Sequence, residues 1–130
     1  MIILDTHIWV WWVHDETKLS VEQVKILKDN ELNGLGVSII SCWEVAKLVE
    51  YKRLTIPCSI EDWFDQALSY PGIHLLNLST AIIIESTQLP GNFHKDPADQ
   101  LIVATSRIYD YTLLTNDSKI INYPHAKVFK

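Results

Sequence analysis

The sequence has too few cysteines for a disulfide framework. Cys42 and Cys58 are the only two in 130 residues, they sit among apolar neighbours, and no C-x-x-C pair occurs. Reduced thiols are expected, with neither a disulfide scaffold nor a cysteine zinc site. No stretch has the composition of a linker, no segment is low in complexity and no repeat recurs, so one domain spanning 1–130 is expected. No apolar run approaches the roughly 18 residues that cross a bilayer. The apolar start, MIILDTHIW, lacks a basic lead and a small-residue cleavage site, and it carries Asp5 and His7. A secretory signal is therefore not expected, and the cytoplasm, away from any membrane, is the expected location. Positive charge is also in short supply, with a formal net charge of −5. Proteins that neutralise many phosphates directly are usually basic, so a passive nucleic-acid binder is disfavoured. The deficit is compatible with carboxylates that gather divalent cations, because the cations then bring the positive charge.

What is present is core. Hydrophobic residues make up 48% of the chain, five of them tryptophan, and each buried indole N–H is expected to find a partner. Met1–Leu4 is fully apolar, as a central strand buried on both faces would be. Asp5 ends it and is a plausible cap for a helix over Thr6–Val13. Ser20 precedes VEQVKILKDNEL, whose Val21, Val24, Ile26, Leu27 and Leu32 fit a helical stripe. Val37–Ile40 reads as a second strand. Ser41-Cys-Trp-Glu44 has the form of a capping box opening the helix CWEVAKLVEY. Ser59 opens a helix that closes at Pro71-Gly72. Ile73–Leu78 is a third strand, and Ser79 caps TAIIIESTQ. Pro97 suits a helix start, with Leu101, Ile102, Thr105, Ile108 and Tyr109 as one face. Thr112–Thr115 is a fourth strand and Lys127–Phe129 a candidate fifth at the edge. Alternating short apolar strands and amphipathic helices predict a three-layer α/β domain with a mostly parallel sheet of four to five strands. Ligands bind such sheets outside the carboxyl ends of the strands.

The acidic residues fall where that rule directs attention. Asp5 follows the first strand, Glu44 opens the helix after the second, and Asp117 comes two residues after the fourth. Asp99 lies in the first turn of the helix that leads into the fourth strand. It joins the others only if that helix begins at the same sheet edge. Clustered carboxylates repel one another and take up protons unless cations neutralise them. Oxygen ligands suit Mg²⁺ or Mn²⁺, and phosphodiester hydrolysis is chemistry that uses such a site. Taken singly, Asp5, Asp96 and Asp99 also serve as helix caps or first-turn acids, Glu44 as half of a capping box and Asp117 as a turn residue.

Four stretches together resemble a known family: IILDTHIW, SIISCWEVAKL, HKDPADQLIVATS and LLTNDSKI, in that order and spacing along essentially the whole chain. The chain resembles the PIN-domain ribonucleases, and within them the VapC-type toxins of bacterial toxin–antitoxin pairs. The resemblance implies a parallel sheet flanked by helices, a homodimer, Mg²⁺- or Mn²⁺-dependent cleavage of RNA, and a small antitoxin partner. It implies Asp5, Glu44, Asp99 and Asp117 as metal-binding, catalytic acids. Thr6 and Thr115 match hydroxyl positions that support them, with Ser41 and Asp96 as further supporting residues. Relatives often carry Arg where this chain has Gln100, which bears on substrate contacts rather than on metal binding.

Other residues flank the same region. His7 and His94 are candidates for proton transfer, although a structural hydrogen bond is the plainer reading. Asn116, Lys47 and Lys95 are candidates for contact with the RNA backbone, as are Lys52 and Arg53. Trp9, Trp11 and Trp12 are read as core or interface before they are read as base-stacking platforms. Two other functions compete. A phosphatase with Asp5 as covalent nucleophile would show D-x-D, and His7 stands in the second position instead. A catalytically inactive PIN-like module for RNA or protein binding would have no need of all four acids.

Overall fold

Each of the three residues of the first strand, β1 (Ile2–Leu4), is buried, and this sets the architecture. In the computed structural model, which describes residues 1–129, Ile2 and Leu4 belong to one hydrophobic core and Ile3 to another. Side chains alternate across a strand, so a strand apolar on both faces needs helices on both. β1 lies between β2 (Leu35–Ser38) and β4 (Leu113–Leu114), and β3 (Ile73–Leu76) lies beyond β2. All pairings are parallel, in the order β3-β2-β1-β4. The helices are α1 (Thr6–His14), α2 (Val21–Asn30), α3 (Ile39–Glu50), α4 (Ile60–Leu68), α5 (Thr80–Ser86), α6 (Pro97–Tyr109) and α7 (Ser118–Ile121). Ile8 and Trp9 of α1, Leu27 of α2, Val45 of α3 and Trp63 of α4 fill one core. Ile102 and Val103 of α6 and Ile120 of α7 fill the other. The three-layer α/β fold with a parallel sheet is as expected.

The expected edge strand at Lys127–Phe129 is a single parallel bridge between Leu113 and Val128, held by backbone bonds from Leu113 N to Lys127 O and from Phe129 N to Leu113 O. β2 also stops earlier than Val37–Ile40 suggests. Its pairing with β3 ends at Ser38–Leu76, and Ser38 caps α3, accepting from Ile40 N at 3.2 Å. Ser41 is therefore not a cap but a buried residue in the first turn of α3. The stripe read for α2 is narrower than expected. Leu27 is buried, whereas Val21 at the first helical position is 89% exposed and Leu32, beyond the helix end, is 102% exposed. On α6, Ile102 to Ser106 are all buried, while Ile108 and Tyr109 emerge into solvent. The middle of α6 is covered by the sheet and by α5, so one stripe does not describe it. Gly36 sits at a close approach: a Cβ there would lie 2.8 Å from Leu76 Cδ1 and 3.2 Å from Ile2 O.

In a parallel sheet each crossover helix runs back against the strands, so it starts at their carboxyl edge. The starts of α1, α3 and α7 follow β1, β2 and β4 directly. α6 must deliver the chain to the amino end of β4, so it too begins at that edge.

Candidate active site

Asp5 and Asp117 cap two of those helices and Asp99 lies in the first turn of α6, whereas Glu44 lies in the second turn of α3 rather than the first, because that helix begins at Ile39. Asp5, Glu44, Asp99 and Asp117 line one cleft of about 490 Å³, together with Thr6, His7, Trp11, Asp96 and Asn116. The condition attached to Asp99 in the sequence is met by the crossover geometry of α6.

Each acid is fixed by a different local device. Asp5 is the N-cap of α1 and only 8% exposed. Its Oδ1 accepts from Thr6 N at 2.8 Å and its Oδ2 from the Thr115 hydroxyl at 2.5 Å. The Thr115 hydroxyl in turn accepts from Asp117 N at 3.0 Å, which ties the turn after β4 to Asp5. Glu44 accepts from the Thr6 hydroxyl at 2.5 Å. Thr6 Oγ1 also lies 2.8 Å from Ser41 Oγ. A single hydroxyl proton serves one acceptor at a time, and the carboxylate is the stronger one. Asp96 caps α6, accepting from Asp99 N at 3.0 Å. Asp117 caps α7, accepting from Lys119 N at 2.9 Å.

The electrostatics follow from burial and from like charge. Burial pushes the Asp99 carboxyl up to about 8, and Asp5, Asp96, Asp117 and Glu44 push in the same direction. Burial also raises Asp5, against the opposing hydrogen bonds from Thr115 and Thr6. Glu44 is raised by burial and by Asp5 and Asp96, with the Thr6 hydroxyl opposing. Carboxylates that resist ionisation because they are buried and face one another are a donor set that fits a hard divalent cation. His94 adds to this fit. Its Nε2 lies 3.0 Å from Asp99 Oδ2 without the alignment of a hydrogen bond, and this buried nitrogen has no hydrogen-bond partner among the described residues.

The remaining candidates divide. Asn116 is exposed on the cleft wall, its Oδ1 accepting from Gln23 Nε2 at 2.5 Å. Lys47 does not line the cleft; it pairs with Glu50 at 2.9 Å and lies over the Tyr51 ring. Lys95 opens onto a neighbouring groove beside Phe93 and Gln100. The three tryptophans part company: Trp9 and Trp12 are buried in the core, whereas Trp11 stands on the cleft wall, 5.7 Å from the exposed His7 ring. Trp9 Nε1 donates to Ala67 O at 3.3 Å. Trp12 Nε1 has no partner among the described residues, contrary to the expectation that each buried indole finds one. Gln100 donates from Nε2 to His94 O at 3.1 Å. Sequence reasoning missed that contact, because a side chain returning to a loop six residues earlier leaves no periodic signal.

Comparison with known proteins bears on the family and the fold. A family model described as the PIN domain matches residues 2–126. The chain is 26% identical over 126 residues to Ribonuclease VapC22 of Mycobacterium tuberculosis (strain ATCC 25618 / H37Rv), covering 97% of this chain and 94% of that protein. Among solved structures, VapBC2 from Rickettsia felis bound to a DNA fragment from its promoter superposes with a TM-score of 0.71 at 20% identity, covering 99% of this chain and 98% of that one. FitAcB from Neisseria gonorrhoeae superposes with a TM-score of 0.70, also at 20% identity, covering 100% and 97%. At these identities the structural likenesses speak for the fold.

Proposed function

The chain belongs to the PIN-domain family, and from that premise we propose that it is a Mg²⁺- or Mn²⁺-dependent endoribonuclease acting as the toxin of a toxin–antitoxin pair. The observation that carries the reading is the meeting of Asp5, Glu44, Asp99 and Asp117 in one cleft, with Asp99 held at about 8 by burial and by its acidic neighbours. Residues 1–130 form one nuclease domain in this reading. It works in the cytoplasm as a homodimer, restrained by a small cognate antitoxin; among the described residues no helix is long and apolar enough to cross a membrane.

Asp5, Glu44, Asp99 and Asp117 hold the cation, and Thr6, Thr115, Ser41 and Asp96 hold the acids in place. When bound, the cation supplies the positive charge that draws a phosphodiester into an acidic cleft and eases its attack by water. The residues provide orientation. Thr115 ties Asp5 to the turn carrying Asp117, and Thr6 ties Asp5 to Glu44, so hydrogen bonds link the three segments. Asn116 is the substrate contact best placed on the wall; Lys47 and Lys95 stand outside it. Attack by water forms a new P–O bond as the P–O3′ bond breaks, leaving a 5′-phosphate and a 3′-hydroxyl.

The test is incubation with labelled RNAs in Mg²⁺ or Mn²⁺, with and without EDTA. Cleavage is expected only with the metal, and Asp5→Asn is expected to slow it about 10³-fold, roughly 4 kcal/mol of barrier. Cleavage indifferent to EDTA, or Asp5→Asn at wild-type speed, would overturn the assignment. A wild type that cuts none of a varied RNA set would favour a binding module.

A further inference from the structure

The loop between α5 and α6 brings a nitrogen to a site otherwise lined by oxygen. One donor atom each from His94, Asp99 and Asp117 lies within 4.8 Å of the other two. His94 is placed by its own backbone and ring. Gln100 Nε2 donates to its carbonyl at 3.1 Å, and the Phe93 ring packs edge-on against it with centroids 4.4 Å apart. Phe93 also packs against Tyr123 at 4.8 Å, and the Tyr123 hydroxyl donates to Pro90 O, which fastens the loop at its other end. The imidazole is thus presented by a braced loop, while its buried Nε2 beside Asp99 is left without a hydrogen bond. Buried polar atoms are rarely left so, because an unsatisfied one forfeits its hydration without return.

We infer that His94 is a nitrogen ligand, completing with Asp99 and Asp117 a mixed nitrogen–oxygen position that takes Mn²⁺ or a similar first-row transition ion in preference to Mg²⁺. The inference rests on the metallonuclease reading and refines which cation the site selects. Imidazole suits the transition ions, whereas Mg²⁺ keeps to oxygen donors and retains its waters. Gln100 is then a positioning residue that sets His94 through its carbonyl.

Direct binding decides the matter without any assay of cleavage. Mn²⁺ titrated into the wild-type protein and followed by electron paramagnetic resonance is expected to bind at least about tenfold more tightly than Mg²⁺ competes. Pulsed spectra of that complex are expected to show an imidazole ¹⁴N coupling. His94→Ala should remove the coupling and weaken Mn²⁺ by about 10- to 100-fold, with Mg²⁺ affinity nearly unchanged. Gln100→Ala should weaken Mn²⁺ by a smaller factor. His94→Gln, checked with His94→Ala by thermal melting, guards against a folding defect, and the wild-type ¹⁴N signal needs no variant at all. Mn²⁺ binding that Asp99→Asn abolishes but that shows no ¹⁴N coupling and ignores His94→Ala would overturn the inference alone, leaving His94 as an ion-pair partner of Asp99. A wild type that binds no Mn²⁺ would overturn the nuclease reading with it.

Discussion

Thr6 shows how much of the site hangs on single atoms. Its backbone N–H holds Asp5, and its hydroxyl reaches Glu44 and Ser41. Thr6→Val keeps the shape and removes the hydroxyl, so RNA cleavage should fall about 10- to 100-fold while the melting temperature changes little. A variant cutting at wild-type rate would show that Glu44 needs no such support. Asp99 makes a second prediction, on stability. Its carboxyl sits near 8 in the folded chain against an ordinary 3.8. Between those values the folded state keeps a proton that the unfolded state gives up, so rising pH favours unfolding. Asp5 and Glu44, also raised, act in the same direction. Thermal melts in EDTA should therefore show stability falling from about pH 5 to about pH 8, with Mn²⁺ restoring it at the upper end. Asp99→Asn should flatten the slope, and a melting temperature that climbs over this range would contradict the assignment. At this scale the sequence was informative about Asp5, whose place after an apolar strand is legible. The Thr115–Asp5 bond, which joins residues 110 positions apart, leaves no local pattern, and only the family resemblance pointed to Thr115 as a support for the acids.

Elements were legible where burial matched periodicity. The apolar runs of β1 and β2 located the central strands, and the serines at 20, 59 and 79 cap helices as read. Errors arose where one local pattern fitted two structures. Ser41-x-x-Glu44 satisfies a capping box, but Ser38 stands one turn earlier and the sheet pairing ends there, so the helix begins sooner. Ile39 and Ile40 prolonged the apolar run and concealed the boundary; Ile40 packs into the second core from the helix rather than from a strand. The two serines can be told apart by mutation. Ser38→Ala should cost about 1 kcal/mol in denaturant unfolding through the lost cap. Ser41→Ala should leave the start of α3 intact and act on cleavage instead, through Thr6. Equal stability losses with no loss of activity at Ser41 would restore the capping-box reading.

The gathering of acids belongs to the whole molecule, since no pair among Asp5, Glu44, Asp99 and Asp117 lies within one element. The parallel topology assembles them: α1, α3 and α7 begin where β1, β2 and β4 end, and the crossover through α6 begins at the same sheet edge, so order along the chain becomes proximity in space. That rule would have placed Asp99 from the sequence, had α6 been treated as the return helix into β4. His94 was beyond its reach, because the loop's path depends on Tyr123 and Gln100. The same topology concentrates negative charge, in a chain already at −5, where an RNA phosphate must enter. Without a cation the cleft repels its substrate; a bound divalent ion offsets that repulsion where the phosphate docks. RNA affinity should therefore rise steeply with divalent ion even when no bond is cut. Ca²⁺, larger and looser in its coordination than Mg²⁺, serves to separate binding from cleavage. Fluorescence anisotropy with a short labelled RNA should show binding about tenfold or more tighter in millimolar Ca²⁺ than in EDTA at matched ionic strength. Asp99→Asn should narrow that difference by removing a ligand. Equal affinity in Ca²⁺ and EDTA would mean that RNA approaches by some other surface and that the acidic cleft is not its port of entry.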